Sequence, residues 1–172
     1  MFDKSTMLRQ CCDVRRLLVV CLGNICRSPF AATYLREKLT GLVEVREGGY
    51  IPTEDRPTPG TGCQAAAALG IDLSKHRNRA FSDEDLDWVD MILCFDADNY
   101  DYLRKRLGGK GNKIWPLGTL LDEKSPWIAD PYRTGLENFR KTYETIRNCC
   151  DELIARRENS IDSFGNYTAS CQ

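Results

Sequence analysis

The sequence predicts an α/β fold, a four-stranded parallel sheet with helices on both faces. Two observations predict it. Short apolar runs of β type alternate along the chain with segments of helical pattern, the order that a parallel sheet with crossover helices requires. The last and longest helical pattern also repeats its apolar residues at the spacing that buries one face.

The elements follow in order. Leu17–Cys21 reads as a buried strand. Pro29–Leu39 reads as a helix, with Ser28 near the cap and Pro29 in the first turn, where its missing N–H costs nothing. Leu42–Arg46 is the second strand. Gly62–Leu69, dominated by alanine, is a helix that stops at Gly70. Val89–Phe95 is the third strand, followed by a helix ending near Gly108 and Gly109. Lys113–Leu117 is a short fourth strand. The last helix, about Leu136–Arg156, carries Phe139, Tyr143, Ile146, Cys150 and Leu153 at intervals of four, three, four and three. Residues 1–16 form an N-terminal extension of mixed charge without a period. Residues 17–157 form the domain, and 158–172 a polar C-terminal tail expected to be flexible.

Composition narrows the function classes. A chain of 172 residues suits one domain with its own core. Its net charge of −1 gives no global attraction to nucleic acid or to an anionic membrane, so neither is an expected partner and any anion must be bound locally. The longest early apolar run, Leu17–Leu22, is too short to cross a bilayer, and Met1–Arg16 lacks the apolar stretch of a signal peptide. Nine cysteines, an odd number with two adjacent pairs, suit a reducing cytoplasm with mostly free thiols. With no Cys-x-x-Cys pair and His76 as the single histidine, neither a metal site nor a cofactor is expected.

Ligands in open parallel sheets sit at the carboxyl ends of strands, which directs attention to the segment after Cys21. It reads Cys21-Leu22-Gly23-Asn24-Ile25-Cys26-Arg27-Ser28-Pro29. A cysteine and an arginine six apart mean little alone; Cys150 and Arg156 repeat the spacing inside the last helix, where it forms no loop. Between a strand and a helix, however, the backbone N–H groups of Leu22 to Cys26 can curl inward as a phosphate-binding cradle, with Gly23 relaxing the tight turn. Arg27 can fork two N–H bonds onto phosphate oxygens. These groups should hold the Cys21 thiol below its ordinary value of about 8.5, and Ser28 can add a hydroxyl hydrogen bond to the thiolate.

The string resembles the signature of low-molecular-weight protein-tyrosine phosphatases, matching its Cys-x-Gly-Asn-x-Cys-Arg-Ser-Pro core at every position. The resemblance runs from about Leu17 to Leu153 and includes Gly70-Ile71-Asp72-Leu73-Ser74, His76-Arg77-Asn78-Arg79, Ile92-Leu93-Cys94-Phe95-Asp96 and Asp130-Pro131-Tyr132. It implies a protein-tyrosine phosphatase with Cys21 as nucleophile, Arg27 as phosphate binder and Asp130 as general acid, working through a phosphocysteine without a metal. It further implies that Asn24 braces the loop with His76 as one partner. The family's other bracing residue is a serine in a Ser-Ala-Gly segment, which here reads Glu47-Gly48-Gly49, a departure. Leu22, Gly23, Asn24, Ile25, Cys26 and Ser28 are expected around the substrate, with Tyr50 and Tyr132 walling the slot for its ring. Cys26, five residues after Cys21, is the expected redox partner of the nucleophile.

Three other readings compete. Some arsenate reductases share this loop, but the resolving cysteine expected seven residues after Cys94 is Asp101. Protein-arginine phosphatases of the same family tend to have threonine at the position of Ile25 and phenylalanine at that of Tyr132. A silent phosphotyrosine-binding module would not need to keep Cys21 and Asp130 together. The expected partner is a tyrosine-phosphorylated protein, a tyrosine kinase being one candidate, and the expected assembly a monomer or weak dimer.

Overall fold

The computed structural model describes residues 2–165 apart from 52, 54 and 122–124, with side chains omitted also at 109, 110 and 160–165. Four parallel strands, β1 (Arg16–Cys21), β2 (Glu44–Gly49), β3 (Met91–Cys94) and β4 (Ile114–Pro116), stand in the order β2-β1-β3-β4. The central β1 is buried at five of its six residues, because helices cover both faces. Its side chains alternate accordingly. Leu17, Val19 and Cys21 join a core with α2 (Arg27–Lys38), α3 (Gly60–Ala67) and α6 (Leu136–Gly165). Leu18 and Val20 pack the other way, against α4 (Asp83–Trp88) and α5 (Ala97–Leu107). Among the described residues no helix is long and apolar enough to cross a membrane.

The expected fold class is the one observed, with four differences of detail. The extension is folded: α1 (Lys4–Cys11) is capped by Asp3 and buries Met7 and Cys11 in the main core. Second, α4 is an unforeseen helix. It is too short to show a period, and a reciprocal box between Ser82 and Asp85 holds its start. Third, β2 continues past Arg46 through Gly48 and Gly49, which look like a turn in the sequence but pair with Val20 and Cys21. Fourth, α6 runs past Arg156 to Gly165; the remainder of the expected tail, 166–172, lies outside the described residues.

Candidate active site

The order β2-β1-β3-β4 means that the chain leaves β1 toward one side and returns on the other, so the carboxyl ends of β1 and β3 flank an open crevice. Cys21 is the last residue of β1, and α2 begins at Arg27. The cap of α2 is Cys26, not Ser28, and it makes no side-chain capping bond, so the first amides of the helix remain available to an anion. Ser28 lies inside the first turn and is fully buried. Its Oγ is 3.0 Å from Cys21 Sγ and accepts a bond of 2.9 Å from Asn24 Nδ2. With the amide donating into that oxygen, the hydroxyl proton is directed at the sulfur.

Asn24, rather than Gly23, takes the strained position in the loop. Its φ is +51°, a left-handed conformation that asparagine tolerates better than most residues. Gly23 has no positive φ, and a Cβ there would meet only Ile25 at ordinary contact distance. The tight approach lies on β2: a Cβ on Gly49 would stand 2.8 Å from Leu22 O and 2.9 Å from Gly23 C. Asn24 is braced throughout. Oδ1 accepts from Arg79 N–H at 3.0 Å, and the backbone carbonyl accepts from His76 Nε2 at 2.7 Å. That carbonyl can only accept, so Nε2 carries the imidazole proton. Asn78 Nδ2 donates to the carbonyl of Gly23 at 2.9 Å.

Arg27 is 1% exposed. NH1 donates to Asp96 at 2.6 Å and to the carbonyl of Ile128 at 3.1 Å, and NH2 donates to Asp130 at 2.6 Å. Burial would lower the guanidinium pKa, but Cys21, Asp130 and Asp96 outweigh it and hold the pKa above its ordinary value. Its buried Nε has no hydrogen-bond partner among the described residues, an unusual state for a buried donor and one that an oxyanion would relieve. Asp130, 103 residues after Arg27, lines one cavity of about 70 Å³ together with Cys21, Leu22, Gly23, Ile25, Cys26, Ile51, Arg56 and Tyr132. A larger open groove of about 450 Å³ lies behind the loop beside Asn24, Arg36 and Glu47, and neither Cys21 nor Asp130 lines it.

A buried cysteine–arginine loop with a distant aspartate at the same cavity invites comparison with known proteins. A family model described as low molecular weight phosphotyrosine protein phosphatase matches residues 16–162. The chain belongs to this family. It is 33% identical over 143 residues to the probable low molecular weight protein-tyrosine-phosphatase EpsP of Ralstonia nicotianae, covering 83% of this chain and 96% of that one. To the low molecular weight protein-tyrosine-phosphatase Etp of Escherichia coli K12 it is 31% identical, covering 81% and 93%. Among solved structures, the YwlE arginine phosphatase from Geobacillus stearothermophilus aligns with a TM-score of 0.77 at 27% identity, covering 84% and 94%. This chain is accordingly a phosphoric monoester hydrolase of the low-molecular-weight phosphatase type.

Within this phosphatase the departure at Glu47 has a structural outcome. The carboxylate takes the bracing side of Asn24: Oε2 is 3.5 Å from Asn24 Nδ2, and Oε1 is 3.0 Å from Arg36 and 3.9 Å from His76 Nδ1. Tyr50 does not wall the slot. It stacks on Tyr102 with ring centroids 4.2 Å apart and packs with the second core cluster, while Ile51 lines the cavity in its stead. Tyr132 stands at the mouth, its hydroxyl accepting from Arg56 at 3.3 Å; Arg133 and Arg56 hold its pKa below the usual tyrosine value. Cys26 is buried and lines the cavity, and burial pushes its thiol well up, with Asp130 and Cys21 adding to the shift. Cys94 ends β3 fully buried, as a core residue.

Sequence reasoning assigned no role to Asp96, Asn78, Ile51 or Arg56. Asp96 was the legible one: it follows the strand beside β1 by two residues, at the same carboxyl edge, and caps α5 while holding Arg27. Ile51 and Arg56 belong to an irregular segment whose course no periodicity predicts.

Proposed function

We propose that this phosphatase hydrolyses phosphotyrosine in proteins through a phosphocysteine, with Cys21 as nucleophile, Arg27 as binder of the phosphoryl group and Asp130 as general acid and then base. The observation that carries the proposal is the meeting of Cys21 and Asp130 at one cavity, with Arg27 buried beside them and bonded to Asp130. A phosphate dianion entering the loop competes with Asp130 for Arg27. Asp96 and Ile128 keep NH1, so NH2 and the unpartnered Nε form the fork that meets two oxygens. Displaced from Arg27, Asp130 is free to carry a proton to the leaving phenolate as Cys21 attacks phosphorus in line. It then takes a proton from the water that attacks the phosphocysteine. Arg27 and the loop amides stabilise the equatorial charge in both steps.

Phosphotyrosine is favoured over phosphoarginine by the walls of the cavity. Leu22, Ile25 and Ile51 are apolar, and Tyr132 offers an aromatic side chain at the mouth, surroundings that suit a phenyl ring and leave a guanidinium largely unpartnered. The partner is then a tyrosine-phosphorylated protein. Steady-state kinetics on phosphotyrosine, phosphoserine and phosphoarginine peptides test the reading, with phosphotyrosine expected to exceed both. Asp130→Ala should cost about 10²–10⁴-fold with phosphotyrosine and much less with an aryl phosphate whose leaving group is already acidic. Wild-type preference for phosphoarginine would overturn the substrate class.

A further inference from the structure

Residues 2–15 precede the segment matched by the family model, yet they reach the loop that carries Asp130. Phe2 meets Trp127 edge to face, with centroids 5.5 Å apart at 83°, and Tyr100 in the same manner at 4.9 Å and 88°. Trp115 lies tilted at 6.4 Å. Trp127 immediately precedes Ile128, whose N–H donates to Phe95 O at 2.7 Å and whose carbonyl accepts from Arg27. Asp130 is two residues further. The segment behind Phe2 is anchored: Asp3 caps α1, Met7 and Cys11 are buried, and Gln10 accepts from Trp115 Nε1 at 2.7 Å. Lys4 pairs with Glu152 of α6 at 3.3 Å.

We infer that the N-terminal segment is a strap and that Phe2 is a positioning residue, which seats Trp127 and thereby sets where the loop presents the Asp130 carboxyl. The inference rests on Asp130 being the acid. The physical need is specific. Asp130 leaves Arg27 when phosphate arrives, and from then on its place depends on how its own loop is held. On the near side that loop is tied by Ile128 to Phe95 and Arg27; the exposed Trp127 ring meets Phe2 and Tyr100. Proton donation is sensitive to such placement, whereas attack by Cys21 is not.

Phe2→Ala in the full chain tests this, measured with a phenyl phosphate of poor leaving group and an aryl phosphate of acidic leaving group. The expected result is a fall of about three- to tenfold in kcat/KM, which reports the steps up to release of the leaving group, with the poor leaving group, a fraction of what a general acid contributes, and little change with the acidic one. Phe2→Tyr, which keeps the edge contact, should restore kcat/KM with the poor leaving group. Acrylamide quenching of tryptophan fluorescence should rise in Phe2→Ala, independently of activity. An unchanged ratio of kcat/KM between the two substrates would overturn the strap, whether both values hold or both fall equally, the latter marking a merely structural contact. Asp130→Ala, run beside it, separates the two readings. If that variant shows the leaving-group dependence and Phe2→Ala does not, the strap fails and the acid assignment stands. If neither shows it, both fail.

Discussion

At the scale of single residues, the site was legible wherever one residue type is chemically obligatory and obscure wherever the backbone decides. Cys21, Arg27 and Asp130 could be chosen from chemistry and resemblance, and they meet at one place. Gly23 was credited with a turn that Asn24 makes, because φ is a property of the folded loop and not of composition. Ile51 supplies the wall expected of Tyr50, which turns away in an irregular segment to stack on Tyr102. Cys26 carries the residue-scale prediction. Its buried thiol is held protonated, so peroxide should first oxidise Cys21 to the sulfenic acid; Cys26 then displaces hydroxide from that sulfur to close a Cys21–Cys26 disulfide. Peptide mass mapping after peroxide should find that bond, and a reducing thiol should restore activity. Cys26→Ser should recover poorly, its Cys21 driven to sulfinic acid; recovery equal to wild type would leave Cys26 a packing residue.

At the scale of elements, β2 and α4 show how an element can exist for the sake of the loop beside it. Gly48 and Gly49 broke the apolar pattern and hid the end of β2, yet the absence of a Cβ at Gly49 is what lets the loop pass. Gly49→Ala would press a methyl onto three backbone atoms, Leu22 O, Gly23 C and Asn24 N, none of which can swing aside. The variant should lose about tenfold or more in kcat/KM through loop displacement, while circular dichroism shows the fold intact. In α4, burial alone would raise the pKa of Asp85, but Arg79, the Ser82 amide and Arg46 hold it at about 2. A carboxyl so depressed stabilises the fold fully above its unfolded value, near 4, and that contribution is lost as pH falls toward about 2. It amounts to roughly 2 kcal/mol. Asp85→Asn should therefore lie below wild type in urea stability at pH 7, with the gap closing between pH 4 and 2.

At the scale of the whole molecule, the alternation of apolar runs with helical patterns was enough for the fold class, because a parallel sheet buried on both faces has few other solutions. The helix in the extension is illegible in the sequence for the complementary reason. The eight residues of α1 are mostly polar and show no stripe, and only two of them, Met7 and Cys11, are buried, with Leu8 partly buried beside them. Two buried side chains hold it where α6 and the turn Leu117–Leu120 receive them, with Gln10 and Lys4 tying its ends. Met7 is fully buried in the main core, where its loss would leave a cavity. Met7→Ala should thus cost about 2–5 kcal/mol of global stability, the range for truncating a long apolar side chain in a core. In urea the midpoint should fall with the slope unchanged, and fluorescence and circular dichroism should move together, as for one cooperative unit. A midpoint within error of wild type, or an early separate transition, would show α1 to be an appendage that frays on its own.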